Sequence, residues 1–184
     1  MDQNQQTPSS PSKRRFRIQL GDLDLLRALV VAQSYNIDTE VEESDPLIEA
    51  LVKLLDISVN SILRTEQRQQ QPRLVLLSSC VNSHYVVAAI QRWKYLVVLG
   101  PFSTAELRCA GLVKTEEHAE ELLREAVTIV TLGSLCQIFP DGPAYLHISM
   151  HDDQWANQFG IHRDNVDYCG GKDAVLLQAI SPYK

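Results

Sequence analysis

The stretch RLVLLSSCVNSHYVVAAIQRWKYLVVLG, residues 73–100, decides how the chain is read. Arg73–Cys80 and His84–Ile90 are short runs rich in β-branched residues and bounded by Ser and Asn, and Tyr95–Leu99 follows after Gln91-Arg92-Trp93-Lys94. Residues of this type between polar turns favour extended structure, so the stretch predicts three consecutive antiparallel strands ended by Gly100-Pro101. Trp93 then falls in a hairpin turn, where its indole either marks a binding surface or inserts into the core.

Upstream, two helices are expected. Gly21-Asp22 opens the first, with Leu26, Leu29 and Val30 on one face. Asp45 as cap and Pro46 as first residue open the second, whose stripe is Leu47, Leu51, Leu54, Leu55, Val59, Ile62 and Leu63. Asp38, Glu40, Glu42, Glu43 and Asp45 between them read as a solvated acidic loop. Downstream, Thr115 caps a third helix, with Glu116 and Glu117 against its positive end. Ala119, Leu122, Leu123, Ala126, Val127 and Val130 supply its apolar face up to Gly133. Pro140-Asp141-Gly142-Pro143 reads as the turn of a hairpin between Ser134–Phe139 and Ala144–Met150. A helix running on through Cys136 is the alternative. A short helix near Asp152–Phe159 and a strand at Ala174–Ile180 complete the order α-α-β-β-β-α-β-β-(α)-β. Grouped strands imply an α+β domain with an antiparallel sheet and helices on one face.

Residues 1–17 form a polar tail ending in the basic cluster Lys13-Arg14-Arg15-Phe16-Arg17, and 18–184 form a single domain. The hydrophobic fraction of 45% suffices for a core without disulfides or metals. The net charge of −6 argues against nucleic-acid binding over the whole surface. With no membrane span and no secretory signal in the sequence, a cytoplasmic protein is expected. Cys80, Cys109, Cys136 and Cys169 are widely spaced, which suits reduced, mostly buried thiols rather than zinc ligands.

His147, His151, Asp152, Asp153, His162, Asp164, Asp167 and Cys169 are metal-ligand types crowded into one segment. On a strand, however, His147 and His151 stand about 13 Å apart, at about 3.3 Å per residue. His151, His162 and Asp164 remain as fallback ligands, and no metal or other cofactor is expected. His162-Arg163-Asp164 lacks the companions of a kinase catalytic loop, and Gly170-Gly171-Lys172-Asp173 lacks those of a phosphate loop. No nucleophile motif is present.

His84-Tyr85-Val86-Val87 through Tyr95–Phe102, followed by the helix Glu116–Val130, is similar to the sensor half of bacterial AraC-type regulators. The resemblance implies a PAS- or GAF-like sensing module without its DNA-binding part. It leads to a non-enzymatic regulatory or ligand-sensing domain acting through a partner or dimer, with Tyr85, Trp93, Phe102 and Trp155 as binding residues. A protein-interaction adaptor, viral or accessory, is the alternative, and a small metal-dependent enzyme using residues 147–167 is a third reading. An enclosed apolar pocket under the sheet marks a sensor, whereas an exposed apolar patch marks an adaptor.

Overall fold

The computed structural model describes residues 27–31 (backbone only), 45–64, 74–100 and 107–180. The polar tail, the acidic loop 38–44, Asp22, Leu26 and Phe102 lie outside them. The elements are β1 Arg27–Val31, α1 Pro46–Arg64, β2 Leu74–Ser79, a 3-10 turn Cys80–Asn82, α2 Ser83–Val98, α3 Glu116–Ala126, β3 Val127–Leu132, β4 Ala144–Met150, α4 Gln154–Phe159, α5 Val166–Cys169 and β5 Val175–Ala179. The five strands pair in sequence order, and every pair is parallel.

The sheet overturns the antiparallel expectation, and the reason lies in residues 83–98. Val86, Ile90, Trp93 and Val97, spaced four, three and four apart, are among the buried residues of a single helix, with Ser83, Val87, Ala89 and Lys94 beside them. That spacing follows a helical stripe and outweighs the preference of valine for strands. Trp93 is therefore 0% exposed in the helix core rather than in a hairpin turn. The strands of the AraC-type resemblance are absent here: its first part is α2.

Three further expectations fail for related reasons. Residues 27–31 are strand β1 rather than helix. The third helix ends at Ala126, because Val127, Ile129 and Thr131 are buried in alternation with Thr128, Val130 and Leu132. The same β-branched run fits both periods, and pairing with β2 selects the strand. Ser134–Phe139 takes no regular structure, and β4 lies parallel to β3, so no hairpin forms. Pro140–Pro143 instead brings the chain back across α3. A Cβ on Gly142, whose φ is +138, would lie 3.0 Å from the Leu123 Cδ1 atom, a position only glycine fills at that backbone angle.

The caps expected at Asp45 and Thr115 hold. The Leu47 N–H donates to Asp45 Oδ1 at 2.7 Å, and the His118 N–H donates to Thr115 Oγ1 at 3.2 Å. For α4 the cap is Asp153, whose Oδ1 accepts from Trp155 N–H and Ala156 N–H. α1, α2 and α3 share one apolar core with the inward side chains of β2, β3 and β4. Strands advancing in one direction through crossovers of one hand carry their connections on one side. Burial agrees: on β2 to β4 the face toward the helices is buried, and the other face is half-buried, with Leu132 and Met150 exposed. Among the described residues, no helix is long and apolar enough to cross a membrane.

Candidate protein-interaction surface

The packed face carries a polar strip toward the ends of its strands. Ser78, Thr131 and His147 stand in register across β2, β3 and β4, all buried. His147 Nε2 lies 2.8 Å from the Gly170 carbonyl, which only accepts, so this nitrogen carries the proton. Nδ1 then accepts from Thr131 Oγ1 at 2.8 Å. The rings of Phe139 and Tyr145 flank the imidazole. Both ring nitrogens are satisfied, so His147 has no lone pair left for a metal or a substrate proton.

Burial lowers the pKa of His147, partly opposed by the Gly170 hydrogen bond, and partial desolvation lowers that of His84, whose side chain is otherwise exposed. The unfolded chain therefore takes up these protons first as the pH drops. Their contribution is fully present above the ordinary histidine value of 6.5 and is lost as the pH falls below it. Melting curves at pH 7.5 and pH 5.5 should show the lower midpoint at pH 5.5. A higher midpoint there would mean that the fold favours charged histidines.

The remaining metal-ligand types do not converge. His151 is exposed on the turn after β4, while His162 Nδ1 lies 4.0 Å from Asp164 Oδ2. Among the described residues, no three His, Cys, Asp or Glu side chains are placed to hold one ion. The four cysteines are free. Gly171 belongs to packing, since a Cβ there would lie 2.6 Å from the Tyr145 ring.

Of the expected binding residues, Trp93 is core, Tyr85 is half-buried on α2, and Phe102 lies outside the described residues. Trp155 alone is exposed, at 68%, stacked on Phe159.

What the sequence reading missed is the second face of the sheet. Val75, Leu77, Val130, Leu132, Leu146, Ile148, Met150, Val175 and Leu177 alternate with the packed residues and point the other way. The remaining positions of this face on β2 to β5 are Ser79, Thr128, Ala144 and Ala179, so none is charged. Leu132 is 43% and Leu177 52% exposed. Parallel sheets normally bury both faces under helices, which makes an apolar open face an unfinished surface. Its signal was present in near-continuous apolar runs such as Leu74–Leu77, which suit a strand meant to be covered on both sides.

The helical side carries two open grooves that share Gln91 and Tyr95. One, of about 420 Å³, is lined by Tyr95, Val98, Leu99 and Pro140 together with Lys94, Glu116, Glu120 and Asp141. The other, of about 550 Å³, is lined by Ile48, Ala88, Arg92 and Leu96, with Arg92 paired to Glu49. The Lys94 ammonium lies 2.7 Å from both Glu116 and Glu120 and 3.4 Å from the Asp141 carbonyl. Burial works against its charge, but the two carboxylates outweigh that and raise its pKa.

No protein-family model, no curated protein and no solved structure matches this chain.

Proposed function

We propose that this chain is a non-enzymatic, cytoplasmic regulatory adaptor that binds a protein partner on the open face of its parallel sheet. The observation that carries the reading is an apolar sheet face with no charged position in a chain of net charge −6. Both described grooves open to solvent on the helical side, which favours an adaptor over a ligand sensor. The satisfied His147 and the scattered His151, His162 and Asp164 weigh against the metalloenzyme.

The partner is an amphipathic helix of another protein. Helices are what ordinarily cover the second face of a parallel sheet. A strand of six residues runs about 20 Å, the length of roughly 13 helical residues. Four strands at about 4.8 Å spacing give a face of only some 300–400 Å².

Leu132→Lys combined with Leu177→Lys tests the proposal. The expected result is a melting midpoint within a few degrees of wild type, together with loss of most of the fluorescence gained by an apolar-surface dye. A fall of ten degrees or more would place the face in the chain's own interior and end the reading. A wild-type dimer in sedimentation that the double variant dissociates would replace the helix with a second copy.

A further inference from the structure

We propose that the paired grooves on the helical side hold a short segment of a second protein partner, one that carries arginine close to a large apolar side chain. Among the described residues lining the first groove, three carboxylates, Glu116, Glu120 and Asp141, stand against a single ammonium, Lys94. The groove therefore keeps an excess of negative charge. Lys94, its side chain 10% exposed, lies beneath Glu116 and Glu120 and draws both toward one point, while Glu116 keeps 66% of its side chain in water. The adjoining groove is apolar at Ile48, Ala88 and Leu96, and its described cation, Arg92, is paired with Glu49. Tyr95, 59% exposed, lines both grooves. An occupant must bring positive charge to the first groove and an apolar side chain to the second. Arginine suits the first better than lysine, because its planar fork bridges neighbouring carboxylates and also stacks on a tyrosine face.

The same charge selects against other occupants. A nucleic acid, an anionic lipid surface or an acidic peptide meets net repulsion in the first groove. Both grooves are open, which suits a peptide laid along α2 better than a small molecule, whose site ordinarily encloses most of it. From Ala88 to Leu99 the grooves follow α2 for about 17 Å, the span of roughly five extended residues. The grooves lie on the opposite side from the open sheet face and share no residue with it, so the chain would hold one partner on each side. Failure of this proposal therefore leaves the adaptor reading untouched.

The fluorescein-labelled peptide Gly-Arg-Arg-Gly-Phe-Gly, titrated with the full chain and followed by anisotropy, tests the seat. Saturable binding is expected with a Kd of about 100 μM or tighter at low salt, within reach of a few good contacts. Binding should weaken about fivefold or more at about 1 M salt, where the screening length shrinks to about 3 Å. Glu116→Arg should weaken it about tenfold, and an analogue with both arginines replaced by glutamate should bind that variant better than wild type. Tyr95→Ala should weaken the original peptide about fivefold. Both positions are mostly exposed, so neither exchange threatens the fold. Leu132→Lys with Leu177→Lys, on the open sheet face, should leave this binding unchanged. No saturation up to about 1 mM, equal binding of the glutamate analogue to wild type, or indifference to Glu116→Arg or Tyr95→Ala overturns the proposal. Loss of binding in the open-face double variant also overturns it, as does a wild-type dimer that Glu116→Arg dissociates, since a second copy would then fill the grooves.

Discussion

Leu123→Asp should abolish cooperative folding. Leu123 is 0% exposed and sits on the face of α3 that also buries Ala119, Leu122 and Ala126. The loop through Gly142 presses on it from the other side, leaving a new carboxylate neither water nor a partner. Burying an unpaired charge costs several kcal/mol or more, against a typical total stability of about 5–15 kcal/mol. The variant should be insoluble, or should lose its melting transition in circular dichroism. Leu123→Ala grades the same site: about 2–5 kcal/mol lost, or a midpoint lower by roughly 5–15 °C at about 2–4 °C per kcal/mol. A soluble Leu123→Asp protein with a sharp transition would show that this face of α3 is not core.

The same core explains which parts of the fold were legible. Caps with a local mechanism, Asp45 and Thr115, lie where the sequence puts them, because a side chain accepting from the first turn needs no tertiary information. β2, the α4 turn and β5 were also legible, each bounded by polar or glycine punctuation. The interval 83–98 was not, because Val86, Val87, Val97 and Val98 carry strand preference while their spacing suits a helix. The decision falls to packing against α1, which no local window contains. Direction was the least legible property. Asp141-Gly142 resembles a hairpin turn, yet it leads into a strand parallel to β3.

The candidate surface suffered from the same error. Read as antiparallel strands, the apolar runs needed only one covered face, and alternate residues passed as ordinary surface. Once the strands are parallel, those residues become an open face without charge. An indole in a turn would be conspicuous at the surface, whereas Trp93 in α2 fills the core. The grooves beside Lys94 join residues of α2, α3 and the loop before β4, a conjunction that exists only after folding.

Asp56→Ala should cost nearly as much as a large core truncation, although the residue is polar. Asp56 is 2% exposed in the middle of α1, where a carboxylate has no place on grounds of pattern alone. Its two oxygens accept the Arg108 N–H at 2.7 Å and the Cys109 N–H at 3.0 Å, tying the turn at residues 107–113 to the helix. Hydrogen bonds to a charged acceptor are the stronger kind, and each backbone N–H left bare in the interior costs about 1–3 kcal/mol. Alanine removes both acceptors at once, for about 2–5 kcal/mol and a midpoint lower by roughly 5–15 °C. Asparagine keeps one acceptor oxygen and should lose about half as much. Cys109 reports the local consequence. It is buried, and burial together with the Asp56 carboxylate pushes its thiol far above the ordinary range, so it should resist a maleimide in the native protein. In Asp56→Ala the turn loses its anchor, and Cys109 should label at least tenfold faster under native conditions. Unchanged labelling with an unchanged midpoint would mean that apolar packing of Leu107 and Val113 holds the turn without the carboxylate.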